Sequence, residues 1–183
     1  MMRQYDPILI AGRELMHRLA DETRLAVLCS AFYDDRIINT YIFEPTETFS
    51  FHFGRGQPMP LFWGAQSKVL VSYQNSRRLQ KLFQEKISGD PQNPCHDWDW
   101  REFSKAAKKI RKDGYCITQG ELTKGLTGIA APILQQDSRE AIASLCVLGD
   151  DERFALLSRE SVIERLVDTA NAISESLVAS PPE

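Results

Sequence analysis

The chain carries four cysteines, Cys29, Cys95, Cys116 and Cys146, and three histidines, the side chains best suited to nucleophilic, redox or metal chemistry. A metal centre needs thiolates or imidazoles clustered at short spacing. Pro94-Cys95-His96-Asp97 is half of such a cluster with no second Cys or His pair to complete it, so no metal site is expected. The cysteines are widely separated and three lie inside apolar segments, where a free thiol behaves as a small buried hydrophobe, so no disulfide framework is implied. His52 alternates with phenylalanine in Phe49-Ser50-Phe51-His52-Phe53. With no Ser or Cys nucleophile and supporting carboxylate suggested nearby, it is expected to face solvent from a strand rather than to catalyse.

Trp100 to Lys112 sets Phe103, Ala106, Ala107 and Ile110 on one face and Lys105, Lys108, Lys109, Arg111 and Lys112 elsewhere, an amphipathic helix with a cationic outer side. Nucleic acid is one partner for such a face. The whole chain argues for the plainer reading, a solvated face: 22 basic against 25 acidic residues give a net charge of -3 and a pI near 5.7, which supplies no global field for a polyanion.

The elements that must position any site follow from patterning. With 183 residues, 43% hydrophobic and 26% charged, one compact soluble domain over 1–183 is expected. No apolar run approaches the roughly 20 residues that span a bilayer, and Met1-Met2-Arg3-Gln4-Tyr5-Asp6 lacks the apolar stretch of a secretory signal. A cytoplasmic protein with no membrane partner is expected.

Ile8 to Ala20 places Leu9, Leu15, Met16 and Leu19 at mixed three and four spacings, predicting an amphipathic helix closed by Asp21-Glu22-Thr23. Arg24 to Phe32 is apolar on both alternating faces, as in a strand buried on both sides. Tyr33-Asp34-Asp35-Arg36 reads as a tight reversal into an antiparallel strand over Ile37 to Phe43. A third strand, Phe49 to Phe53, would turn its phenylalanines inward. The glycines and prolines of Gly54 to Pro60 cannot continue a strand and lead into a helix over Leu61 to Leu70. A second helix from about Ser76 to Ile87 precedes a Pro-, Asn- and Asp-rich surface loop, Gly89 to Trp98.

After the cationic helix come a strand over Tyr115 to Thr118 and a hairpin of Leu126 to Leu134 with Ala141 to Leu148. Val162, Leu166, Ala170, Ile173 and Leu177 then recur at helical spacing almost to the polar tail. The fold class is therefore α+β, a central six-stranded antiparallel sheet. The terminal helices pack on one face and the middle helices close the other over a pocket.

On these elements, Gly56-Gln57-Pro58-Met59-Pro60-Leu61, then Ala65 and Ser67-Lys68-Val69-Leu70, resembles a Gly-x-x-x-Pro-Leu segment and a Gly-Lys-x-Leu helix. Both belong to the effector-binding domain of the isocitrate-lyase-regulator (IclR) family of bacterial transcription regulators. Ile110-Arg111-Lys112-Asp113-Gly114-Tyr115, Glu121-Leu122, Gly125 and Ile129-Ala130-Ala131-Pro132 resembles the second, more specific signature. The likeness covers nearly the whole chain. It implies a GAF-like fold, a small-molecule effector, a homodimer or homotetramer, and neither catalysis nor cofactor. DNA would be met only through a winged helix-turn-helix that is not expected in this chain, since nothing before Ile8 could supply its helices and wing.

Departures from the family bear on the ligand. Phe62 stands where a histidine is common, Trp63 where a small residue follows, and Ser67 where a glycine precedes the lysine, so a bulkier, more aromatic mouth is expected. Carried over from the family, the effector would lie against the start of the middle helix, around Phe62, Trp63, Ala65 and Gln66. It would face Thr118, Leu126, Gly128, Cys146 and Leu148, of which Thr118 and Cys146 are the polar handles. Free N–H groups at a helix start favour a carboxylate, and the aromatics add an apolar body. An aromatic or otherwise hydrophobic carboxylate is the expected effector, against the alternative that these rings fill the core. Lys68, further along the helix, is expected to point outward or to pair with a carboxylate.

Two other functions stay open. Stand-alone GAF-like domains include cysteine-dependent reductases of free methionine sulfoxide, which need an accessible low-pKa thiol and a resolving partner. Cys116 and Cys146, both on the second half of the sheet, are the candidates. The terminal helix stripes could instead make this a dimerisation module without ligand.

Overall fold

The computed structural model of the chain describes residues 7–45 and 53–177. Helix α1 (Pro7–Thr23) leads into a hairpin of β1 (Ala26–Tyr33) and β2 (Arg36–Phe43). The hairpin closes at the Tyr33–Arg36 pair through a two-residue loop in which Asp34 takes a left-handed φ of 55°, a conformation that its short polar side chain tolerates. A short edge strand, β3 (Pro58–Met59), precedes α2 (Ala65–Ser72), α3 (Ser76–Leu82) with its wider-wound continuation over Phe83–Ile87, and α4 (Trp100–Asp113). The second half comprises β4 (Cys116–Gln119), β5 (Leu126–Leu134), β6 (Ala141–Asp150), the short α5 (Asp151–Ala155) and α6 (Arg159–Ser176).

The six strands form one sheet in the order β3-β2-β1-β6-β5-β4, antiparallel throughout. The expected architecture is therefore present. The central strands β1 and β5 are buried along most of their length, and alternation splits their side chains between two cores. On one face Val27, Ile129, Leu145 and Val147 meet Met16 and Leu19 of α1 and Leu166 and Ile173 of α6. The two helices cross closely at Gly12, where a β-carbon would stand 2.9 Å from Ile173 Cδ1. On the other face Leu28, Ala130 and Cys146 pack with Val69 and Leu70 of α2 and Phe103 and Ala107 of α4.

Local chemistry fixes the helix ends. Asp99 accepts from Glu102 N while the Glu102 side chain accepts from Asp99 N, a capping box that satisfies two orphan donors. Gly114, at φ 81°, stops the same helix. Asn75 and Ser158 cap α3 and α6.

The expected strand over Phe49 to Phe53 falls, up to His52, outside the described residues; among those described, the strand that pairs with β2 at the sheet edge is Pro58–Met59, against Ile38 and Ile37. It forms despite its proline because an edge strand leaves one side of the backbone free of ladder bonds. Two other expectations need correction. The middle helix starts at Ala65 rather than Leu61. The Gly89–Trp98 segment is more than a surface loop, since Asn93 and Cys95 are buried and Asn93 Nδ2 donates to Leu61 O at 2.8 Å. No helix among the described residues is long and apolar enough to cross a membrane.

Candidate functional site

Strand register builds the floor. Thr118, Gly128, Leu148 and Ala26 form one row across β4, β5, β6 and β1, and Cys116, Ala130, Cys146 and Leu28 form the next row on the same face. The first turn of α2 lies over these rows. It approaches closely because Gly128 has no side chain: a β-carbon there would sit 3.4 Å from Leu148 Cδ1 and 3.8 Å from Ala65 Cβ. A partly enclosed cavity of about 50 Å³ remains beside this contact. Gly64, Ala65 and Gln66 line it from the helix start, and Thr118, Leu126, Gly128 and Leu148 from the sheet. Leu28, Asn39, Phe53 and Met59 close it from the first half, and Glu121, Leu122 and Thr123 from the β4–β5 loop.

The turn before α2 is shaped by its own side chains. Ser67 Oγ donates to Pro60 O and accepts from Phe62 N, both at 2.8 Å. Phe62 is held at a left-handed φ of 58° and buried against Phe103, with ring centroids 4.6 Å apart. Ser67 therefore ties the turn that precedes the helix. Gly64, at φ 81° and ψ 154°, occupies a region open essentially to glycine alone.

Glu121 bridges the loop to this turn. Its Oε2 accepts from Gly64 N at 3.0 Å, its Oε1 accepts from Lys68 Nζ at 2.6 Å, and its backbone carbonyl accepts from Trp63 Nε1 at 3.0 Å. Lys68 Nζ also lies 5.6 Å from the Trp63 ring centre, within cation–π range. Lys68 thus pairs with a carboxylate, one of its two expected dispositions.

Two polar features face the cavity. Gln66 Nε2 donates to Ser30 Oγ and Asn39 Oδ1, Ser30 donates to Asn39, and Asn39 Nδ2 donates to Phe53 O, a buried network whose members hold one another's donors. Thr118, 9% exposed, turns its side chain to the cavity wall.

Of the expected contact residues, Ala65, Gln66, Thr118, Leu126, Gly128 and Leu148 come together around the cavity. Phe62, Trp63 and Cys146 do not line it. Phe62 turns into the aromatic cluster of Phe103 and Trp98 because its left-handed backbone aims the ring away, so it does not make the mouth aromatic. Trp63 is held outside by its bond to Glu121. Cys146 lies under Gly128, where a β-carbon would be 3.7 Å from its Sγ. Leu28, Asn39, Leu122 and Thr123 were not expected, nor was a wall role for Glu121. Asn39 could have been found as a lone amide inside an apolar strand.

The thiols are chemically quiet. Burial pushes Cys116 up to about 11 and raises Cys95 and, furthest, Cys146. Cys116 pairs with Ala130 and Ala130 with Cys146, so their Cα atoms stand two strands apart, roughly 10 Å, beyond the roughly 7 Å Cα limit for a disulfide. The approach that a resolving pair would require does not occur. Cys95 and His96 serve the loop fold: Cys95 N donates to Asn93 Oδ1, and His96 Nδ1 lies 2.8 Å from Asn93 O.

Comparison with known proteins places this geometry. The transcriptional regulator YaiJ matches with a TM-score of 0.79 at 21% identity, over 94% of this chain and 96% of that one. The IclR of Thermotoga maritima matches with a TM-score of 0.80 at 18% identity, over 96% of this chain and 70% of that one. An IclR homologue from Microbacterium hydrocarbonoxydans, solved in complex with 4-hydroxybenzoate, matches with a TM-score of 0.80 at 16% identity, over 98% of this chain and 72% of that one. No curated protein matches the chain significantly. The family model described as bacterial transcriptional regulator IclR C-terminal matches residues 4–175, nearly the whole chain, and by that match the protein belongs to the IclR C-terminal family.

Proposed function

We propose that this domain senses a small organic acid with an apolar, aromatic body and passes its occupancy to a DNA reader. The observation that carries this reading is the cavity itself, which joins the start of α2 and the Thr118 side chain to a floor of Leu28, Leu126 and Leu148. The first amides of a helix lack intrahelical partners and favour an anion. Ala65 and Gln66, the first residues of α2, line the cavity. The 4-hydroxybenzoate held by the Microbacterium homologue supports the same class of ligand.

Ligand pockets usually measure about 300–1,000 Å³, so the present cavity of about 50 Å³ takes an aromatic ring once the loop side chains, Leu122 above all, move aside. Such movement is the means by which occupancy is read. Binding transmits a signal when the ligand favours one of two arrangements of a homodimer or homotetramer. The assembly acts in the cytoplasm, on DNA through a winged helix-turn-helix. The chain here performs no catalysis.

Thermal unfolding and calorimetric titration test this with 4-hydroxybenzoate, benzoate, and the short acids glyoxylate and pyruvate. At a hundred times Kd a specific ligand stabilises by about 2.7 kcal/mol. Stabilisation by the short acids alone refutes the aromatic class, and stabilisation by none refutes the sensor.

A further inference from the structure

We propose that Glu121 is a resident carboxylate that holds the acid-binding position of the cavity until an effector's acid group displaces it, releasing the loop between β4 and β5. The inference rests on the acid-sensing reading above and adds how the site is occupied in the free protein and what changes on binding.

Glu121 already has what an incoming acid would seek. Its two oxygens take the Gly64 amide and the Lys68 ammonium, the charged donor and the backbone donor at the mouth of α2. Charge-assisted hydrogen bonds of this kind are roughly twice as strong as neutral ones, and a cation so paired offers little to a second anion. The Lys68 and Glu121 side chains are only 16% and 23% exposed, so water screens the pair weakly. On the sheet side Thr118, 9% exposed, lines the same cavity. A hydroxyl both donates and accepts, so Thr118 offers a ligand a second polar contact on the sheet side.

The same carboxylate fastens the loop. Gly120 and Gly125 flank it at φ 67° and 80°, conformations that glycine adopts freely. Between them Leu122 lies against Gly64, so close that a β-carbon on Gly64 would come within 2.4 Å of Leu122 Cδ1. An acid that takes Gly64 N and Lys68 removes both bonds of the Glu121 side chain and leaves the Trp63 Nε1 bond to the Glu121 carbonyl as the remaining side-chain tie on the loop. A neutral analogue of the same shape brings no charge to Lys68 and leaves the latch in place. Glu121 thereby sets specificity for acids over amides and couples acid binding to loop release.

The test compares the wild-type chain with Glu121→Gln, using 4-hydroxybenzoate and its neutral analogue 4-hydroxybenzamide. Calorimetry gives affinity, and trypsin cleavage after the exposed Lys124, read by mass spectrometry, gives loop release. In the wild type, 4-hydroxybenzoate should speed cleavage after Lys124 several-fold and 4-hydroxybenzamide should not. Glu121→Gln should cleave faster without ligand and bind the acid about tenfold tighter, since Lys68 then lacks a competing anion. Acid binding with unchanged or slowed cleavage overturns the latch while leaving the acid sensor standing. Equal or weaker acid binding by Glu121→Gln overturns the competition. Absence of acid binding to either protein overturns the acid-sensing reading and the latch with it.

Discussion

Gly128 of β5 lies directly beneath Ala65 of α2, close enough that a β-carbon on the glycine would stand 3.8 Å from the alanine's. The cavity exists beside this point because the sheet offers no side chain there. Gly128→Ala places its methyl in ordinary contact, at 3.4 Å or more from Leu148, Cys146 and Ala65. It should raise stability by about 0.4–1 kcal/mol through the unfolded chain while weakening 4-hydroxybenzoate binding. Gly128→Val should abolish binding with an unchanged far-ultraviolet circular dichroism spectrum. Undiminished binding by the valine variant would place the ligand elsewhere.

Gly64→Ala should lose about 1–3 kcal/mol in urea unfolding, because φ 81° with ψ 154° is closed to residues with a β-carbon. The new methyl also collides with Leu122, so the variant should be cleaved faster after Lys124 even without ligand.

Asn39 is the hub of the buried amide network, accepting from Ser30 and Gln66 and donating to Phe53 O. Asn39→Ala takes the acceptor from the Ser30 hydroxyl and from one Gln66 Nε2 hydrogen and the donor from the Phe53 carbonyl, and should cost about 1–3 kcal/mol. Ser30→Ala should cost less, since Asn39 and Gln66 remain bonded. Equal losses from the two, measured by urea unfolding, would mean that Asn39 is not the hub.

Alkaline pH should weaken the fold. Burial raises Cys116 from 9.0 to about 11, raises Cys146 further, and raises Tyr73 as well. The unfolded chain therefore gives up these protons first. Stability is full below about pH 9 and falls as pH rises toward 11, at up to about 1.4 kcal/mol per pH unit for each thiol. Replacing Cys116 and Cys146 by alanine should flatten that fall in a melting-temperature profile. Alkylation of the native wild type at neutral pH should leave both thiols unmodified.

The sheet, its two covered faces and the contact of α2 with β4, β5 and β6 were legible because alternation and helical spacing are local signals. Ala65, Gln66, Thr118, Leu126, Gly128 and Leu148 could be placed from the family resemblance combined with strand register. Phe62 could not, because its direction depends on a left-handed turn tied by Ser67 to Pro60 O, a bond that no periodicity announces. Asn93 was hidden likewise: a residue in a Pro- and Asn-rich stretch reads as solvated until its partner, Leu61 O, is known. Glu121 was visible as part of a motif, but its role required knowing that Gly64 and Lys68, more than fifty positions earlier, lie beside it.

The sheet order places the first long strand against the last, β1 beside β6, so the seam through the middle of the molecule joins segments separated by most of the chain. Neither half can complete its hydrophobic layers alone, and closing that seam carries the large loop entropy of a distant pairing. During synthesis, the β1–β2 hairpin must wait with an open edge until β6, more than a hundred residues after β1, has emerged. Such an edge invites pairing with another nascent copy, a hazard that a sheet stitched at its centre carries until its last long strand arrives.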